Sequence, residues 1–130
     1  PLAALAASVQ RLGAQAATAC GGTAPVKFAA LQLGTRHSPR AELAQAANTL
    51  RFDTEANGGW LADNTDGLGL VRDITVNAGV ALAGARVLLL GAGGASAGVL
   101  GPLIEARPAE IVVANRTAHR AQLLVDRHGD

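Results

Sequence analysis

Two groups of residues have the types and the spacing that nucleotide chemistry requires. The first is the glycine turn Gly91-Ala92-Gly93-Gly94-Ala95-Ser96, set between the apolar run Val87–Leu90 and a helix-length segment reaching about Ala106. Glycines at such a turn let the backbone bend sharply and approach a pyrophosphate, which is held by the N–H groups that open the helix. The second group is Asn115-Arg116-Thr117, with Arg120 close behind, at the end of the next apolar run, Ile111–Ala114. Strand, glycine turn, helix and strand in that order form a dinucleotide-binding unit.

Serine stands at position 96 where the fingerprint expects its third glycine, so a tight strand–helix turn that binds nothing is the competing reading. The end of the second strand argues against it. Enzymes that use NAD carry Asp or Glu there for the ribose hydroxyl, and a carboxylate would repel a 2′-phosphate. Here Asn115 and Thr117 can hydrogen-bond a phosphate, and Arg116 and Arg120 can pair with it. Each such charge-assisted contact contributes about 1.5–3 kcal/mol. The expected cofactor is NADP.

These groups need a frame, and the pattern supplies an α/β one. Val87–Leu90 reads as a short strand buried on both faces of a parallel sheet. Upstream, Leu2, Leu5, Val9 and Leu12 recur at helical spacing until Gly13. A turn-rich segment, Gly21 to Lys27, feeds a short helix to Leu33, and a polar loop at Arg36 to Pro39 leads to a helix over Ala41–Ala47. Asn48–Phe52 and Gly59–Ala62 read as strands joined by the polar turn at 53–58. Asn64 or Thr65 caps a helix running to about Asn77. The expected division is residues 1–65, a connecting helix and loop over 66–84, and the nucleotide unit over 85–130. One strand–helix–strand unit is not a full doubly wound sheet, and the chain opens on Pro1 rather than methionine, so the expectation is the middle of a longer protein.

Composition narrows the function classes. Hydrophobic residues are 49% of the chain, much of that alanine, so the core must pack small side chains. Aromatics at 2% leave no stacking platform for single-stranded nucleic acid. A net charge of +1, with dispersed basic residues, points to neither DNA nor an anionic membrane. No apolar run reaches the length of a membrane span, and no signal-peptide pattern opens the chain. The single Cys20 cannot form an internal disulfide, which suits a reducing, cytoplasmic setting. His37, His119 and His128 are scattered, so no metal site is expected. Open sheet edges in an alanine-rich chain favour self-association, which keeps a homo-oligomer among the expected partners.

Four blocks occur in order: Thr23-Ala24-Pro25-Val26-Lys27, Ala47-Asn48-Thr49-Leu50, Asn64-Thr65-Asp66-Gly67-Leu68-Gly69, and the Gly91 turn with Asn115-Arg116-Thr117. In that order and spacing they resemble the shikimate dehydrogenase family over nearly the whole chain. The resemblance implies the C-terminal part of an α/β substrate-binding domain, followed by the first βαβ unit of a Rossmann domain. It implies reversible, NADPH-dependent reduction of 3-dehydroshikimate to shikimate. Lys27 matches the family's proton-transferring lysine, and Asp66 the aspartate paired with it; Thr23 and Asn48 match positions that bind the substrate's hydroxyls. Taken singly, each residue has an ordinary structural alternative as a helix-start lysine, first-turn acid, cap or turn.

Departures from the family pattern stand beside the matches. Gly21-Gly22 replaces asparagine and a β-branched residue, which would loosen the approach to Thr23 and Lys27. Phe28 stands where an acid is common, Gln45 where glycine is frequent, and Ala97 where many members carry arginine. The family's paired serines for the substrate carboxylate and the nicotinamide-side half of its nucleotide domain have no counterpart in these residues. Two alternatives therefore stay open: a non-catalytic, truncated dinucleotide-binding module, and a quinate/shikimate dehydrogenase paralogue. Trp60 and Cys20 are read as structural.

Overall fold

The structure is a computed structural model that describes residues 2–14, 18–23, 26–52 and 59–129. The polar turn at 53–58 and the pair Ala24-Pro25 lie outside the described residues. The chain divides after Asn64 into two compact α/β units, Pro1–Asn64 and Thr65–Asp130.

In the first unit, helix α1 (Leu2–Ala14) precedes strand β1 (Ala19–Gly21), α2 (Lys27–Leu33), β2 (Arg36–His37), α3 (Pro39–Ala44), β3 (Thr49–Phe52) and β4 (Trp60–Asp63). The strands form one sheet in the order β1-β3-β4-β2. β3 is antiparallel to both β1 and β4, and β2 lies parallel to β4. Two of these strands correct the sequence reading, which made Gly21 part of a turn and Arg36–His37 part of a loop. Neither has a recognisable pattern of its own. β1 exists because it pairs with Thr49–Arg51, and β2 because Thr35 and Ser38 N–H groups reach the Trp60 and Ala62 carbonyls at 2.9 Å.

The core of this unit is small, as the alanine content requires. Ala30, Ala41, Ala47 and Ala62 pack with Val9, Leu31, Leu50 and Phe52. Phe52 meets Trp60 edge-to-face with ring centroids 5.4 Å apart, a geometry that adds about 0.5–1.5 kcal/mol beyond burial. α3 starts two residues earlier than its periodicity suggests. Ser38 caps it, its hydroxyl accepting the Ala41 N–H at 3.2 Å, and Pro39 occupies the first turn. It ends at Ala44 because Gln45 turns left-handed, with φ 51°.

The second unit opens with α4 (Asp66–Arg72), which continues as a π-helical segment over Asp73–Asn77. The widening has a local cause. The Thr75 hydroxyl donates to the Val71 carbonyl at 2.7 Å, taking the acceptor that its own N–H would use in an α-helix. Strand β5 (Arg86–Leu90), helix α5 (Gly94–Glu105), strand β6 (Glu110–Ala114) and helix α6 (Ala118–His128) follow, with β5 and β6 parallel. Val87, Leu89 and Ile111 pack with Leu82, Val99 and Leu103. The opposite face departs from expectation: Leu88 is 61% and Leu90 74% exposed, because among the described residues helices cover one face of this sheet.

α4 seats directly on α5, and Gly67 permits it. A Cβ at Gly67 would lie 2.5 Å from Pro102 Cγ and 2.7 Å from the Gly98 carbonyl oxygen, whereas one at Gly69 would meet nothing. Gly67→Ala should therefore lower the stability of this unit by about 1–3 kcal/mol. Gly69→Ala on the exposed face should raise it by about 0.5–1 kcal/mol. Denaturant titration followed by circular dichroism checks both, and equal shifts in the two variants would contradict the packing.

Candidate functional site

The sheet of the first unit gathers three sequence-selected positions at one edge. β1 ends at Gly21, opposite Thr49 where β3 begins, and Thr49 in turn faces Asp63 where β4 ends. Thr23, Asn48 and Asn64 leave the sheet from this common edge. Backbone bonds tie them: Gly22 N–H donates to the Asn48 carbonyl at 2.7 Å, and Asn48 N–H donates to the Asp63 carbonyl at 3.0 Å. Lys27, the first residue of α2, joins the same edge, since its carbonyl accepts the Ala47 N–H at 2.9 Å. Lys27 is 8% exposed and Thr23 is exposed. The glycine pair at 21–22 is thus pinned by pairing with β3, which offsets the looseness its composition suggests.

Asn48 carries its amide beside Thr49, whose hydroxyl donates to Asn48 Oδ1 at 3.0 Å. Asn64, expected as a helix cap, does something else. It is 1% exposed and donates through Nδ2 to the Ala46 carbonyl at 3.0 Å. Thr65 is the N-cap residue of α4 by position, without a side-chain capping bond. Asp66 opens α4 in the second unit and is partly buried.

One group at the sheet edge escaped the sequence reading. Asp63 accepts from the Ser38 hydroxyl at 2.6 Å and from the Asn64 N–H at 2.7 Å, and it pairs with the Arg40 guanidinium. Burial pushes the Asp63 carboxyl up, but the bonds from Ser38, Arg40 and Asn64 outweigh it and hold the group below the ordinary carboxylate range. Ser38 lies in the segment that reads as a polar loop, and nothing local joins residues 38 and 40 to residue 63.

In the second unit the glycine turn and the basic segment are adjacent. Gly91 has φ 105°, a conformation open to glycine, and its N–H donates to the Ala114 carbonyl at 2.7 Å. That bond places Ala92–Ala95 beside Asn115. The first bond of α5 runs from Ala97 N–H to the Gly93 carbonyl, so the N–H groups of Gly94, Ala95 and Ser96 open the helix ahead of it. Ser96, in the third-glycine position, is buried 3.7 Å from where a Gly91 Cβ would stand. Asn115 turns its Nδ2 onto the Thr117 carbonyl at 2.9 Å and so shapes the turn, while Arg116, Thr117 and Arg120 are exposed. Ala97 is 4% exposed. A backbone cradle of this form, followed across the sheet by an exposed segment that carries Arg116 and Arg120, fits a dinucleotide with an added phosphate.

Residues 73–130 match the family model described as shikimate / quinate 5-dehydrogenase. The chain is 58% identical to the shikimate dehydrogenase (NADP(+)) of Methylibium petroleiphilum over 98% of its own length. This chain belongs to the shikimate dehydrogenase family. It is also 56% identical, over 98% of its length, to the shikimate dehydrogenase (NADP(+)) of an Acidovorax species. The shikimate 5-dehydrogenase of Thermus thermophilus, solved in complex with NADP(H) and shikimate, superposes with a TM-score of 0.83 at 35% identity over 99% of this chain. The chain spans 45% of the length of the first relative, 44% of the second and 47% of the third. No helix among the described residues is long and apolar enough to cross a membrane, and they contain no group of three His, Cys, Asp or Glu that could hold a metal.

The Asp63 network makes a prediction about pH. The folded value lies below the unfolded one, so the carboxylate contributes stability that is present above the unfolded pKa and lost as pH falls through the folded one. Fluorescence of Trp60, the single tryptophan, should report a falling denaturation midpoint below about pH 4. Asp63→Asn should flatten that acid limb; an unaltered limb would assign it to other carboxylates.

Proposed function

We propose that this chain carries the proton-transfer and adenosine-side residues of an NADP-dependent shikimate dehydrogenase. The observation that carries the reading is the meeting of three segments at one sheet edge: Gly22, next to Thr23, donates to the Asn48 carbonyl at 2.7 Å, and Ala47, next to Asn48, donates to the Lys27 carbonyl at 2.9 Å. The two relatives named as NADP(+) shikimate dehydrogenases support the substrate and the cofactor.

NADPH, when bound, supplies hydride to the ring carbonyl carbon of 3-dehydroshikimate. The residues of this chain manage the charge that hydride arrival creates. Lys27 as an ammonium donates its proton to the carbonyl oxygen, giving the hydroxyl of shikimate; in the reverse direction it accepts that proton. Asp66 matches the aspartate of the family's Asn-Thr-Asp-Gly block and takes the acid role that the resemblance assigns to it. Thr23 and Asn48 hydrogen-bond the substrate hydroxyls and hold the reacting carbon in place. Proton transfer by a positioned group contributes about a hundredfold to ten-thousandfold.

Gly91, Ala92, Gly93, Gly94 and Ala95 cradle the pyrophosphate, and Arg116, Thr117 and Arg120 meet the 2′-phosphate on the turn that Asn115 shapes. Two guanidinium groups without an acidic neighbour between them, in the run Asn115–Arg120, favour NADP over NAD. The reading places this chemistry in a small-molecule enzyme without nucleic-acid or membrane partners, acting in the cytoplasm. Residues 1–65 serve the substrate, 66–84 connect, and 85–130 begin the nucleotide domain.

Shikimate-dependent reduction of NADP by this chain, with NAD and quinate in parallel, tests the reading. Turnover with NADP and shikimate is expected; NADP binding without turnover on either acid would favour a non-catalytic dinucleotide module, and a quinate preference the paralogue. Lys27→Ala should lower turnover by about a hundredfold or more while NADP affinity stays within a factor of two or so. Near-normal turnover would remove the lysine from the mechanism. Arg116→Asp should weaken NADP by about tenfold to a hundredfold and leave NAD nearly unchanged. An unmoved preference would place the phosphate site elsewhere.

A further inference from the structure

Asp63 sits where β4 ends, and its side chain ties that end to the start of α3. Its carboxylate accepts from the Ser38 hydroxyl, the Arg40 guanidinium and the Asn64 N–H. Its carbonyl accepts the Asn48 N–H at 3.0 Å. Asn64, held by that carboxylate, donates in turn to the Ala46 carbonyl, two residues before Asn48. The segment leading into β3 is therefore gripped at Ala46 and at Asn48, on both sides of Ala47, by Asn64 and Asp63.

The grip matters because Asn48 lies just beyond the paired register, which ends at Thr49 opposite Asp63. A residue past the end of a ladder frays unless something outside the ladder holds it. The Gly22 bond to the Asn48 carbonyl is one support, and the Ser38 and Arg40 contacts are a second: they tie the end of β4 to the start of α3, an element the ladder does not include. Ser38 is already fixed as the cap of that helix by its bond with the Ala41 N–H.

We propose that Asp63 is a positioning residue for substrate binding, acting through Asn48. By clamping the end of β4 to α3 it holds the Asn48 backbone still, so that the amide oriented by Thr49 meets a substrate hydroxyl without first paying the entropy of ordering. The proposal rests on the reading of Asn48 as a substrate contact. It extends that reading to three residues, Ser38, Arg40 and Asp63, that touch no substrate themselves.

Amide hydrogen exchange on the complete chain, combined with shikimate and NADP titrations, tests it with Asp63→Asn and the milder Arg40→Gln. In Asp63→Asn the Asn48 amide should exchange about tenfold faster or more, while Leu50 within β3 and Leu88 within β5 change little. Shikimate affinity should fall by about tenfold, and NADP affinity should not move. Arg40→Gln should shift the same two quantities in the same direction by less. Unchanged exchange at Asn48, or acceleration shared equally by Asn48 and Leu50, would overturn the proposal, because the carboxylate would then support only general stability. Unchanged shikimate affinity in Asp63→Asn would overturn it too. If the unmodified chain fails to bind shikimate, the substrate reading falls, and the exchange at Asn48 alone then decides whether the clamp exists.

Discussion

The first unit depends on a pair of hydrogen bonds that pass through one residue. Asn48 accepts from Gly22 on one side and donates to Asp63 on the other, at 2.7 Å and 3.0 Å. Three segments with little tendency to order alone are thereby held at one edge: a glycine pair, a short strand and the end of a second strand. Buried backbone groups must find partners, so the pairing is obligatory once the alanine core has closed beneath it. Lys27 is carried to the same edge by the bond from Ala47. A lysine at 8% exposure is costly to hold in a small core, and its place is set by the first turn of α2 rather than by side-chain packing alone.

The second unit solves a similar problem with different means. Its glycine turn presents backbone rather than side chains, a form that suits a phosphate held by N–H donors at short range. Gly91 turns through a positive φ and returns a bond to Ala114, which draws the ends of β5 and β6 together. Ser96 then fills the space beneath Gly91 that the fingerprint usually leaves to a glycine. The close approach in this unit lies instead between α4 and α5, where Gly67 meets Pro102 and the Gly98 backbone.

Function follows from how little of either site is made of loose side chains. Lys27 and Asn48 are each one bond from a sheet edge, and the glycine turn is one bond from Ala114, which leads into Asn115 and Arg116. Catalysis by positioning requires such rigidity, since small displacements of a reacting group forfeit much of the rate.

Several features needed only local physics, and these were legible in the residues. The glycine turn, the parallel strands Arg86–Leu90 and Glu110–Ala114, the helix between them and the hairpin strands β3 and β4 all have patterns complete within a few residues. The family blocks at Thr23, Asn48, Asn64 and Gly91 were likewise contiguous. β1 and β2 were not legible, because each is two or three residues long and exists only by pairing with a strand more than twenty residues away. The Ser38–Arg40–Asp63 network was hidden for the same reason, as was Asn64, whose amide serves Ala46 rather than the helix it precedes. The sequence by itself determined which residues could do chemistry, through short-range patterns of glycine, charge and apolar spacing. The tertiary structure decided which of them share an edge, because hydrogen bonds and charge pairs between distant segments depend on a register that no single segment encodes.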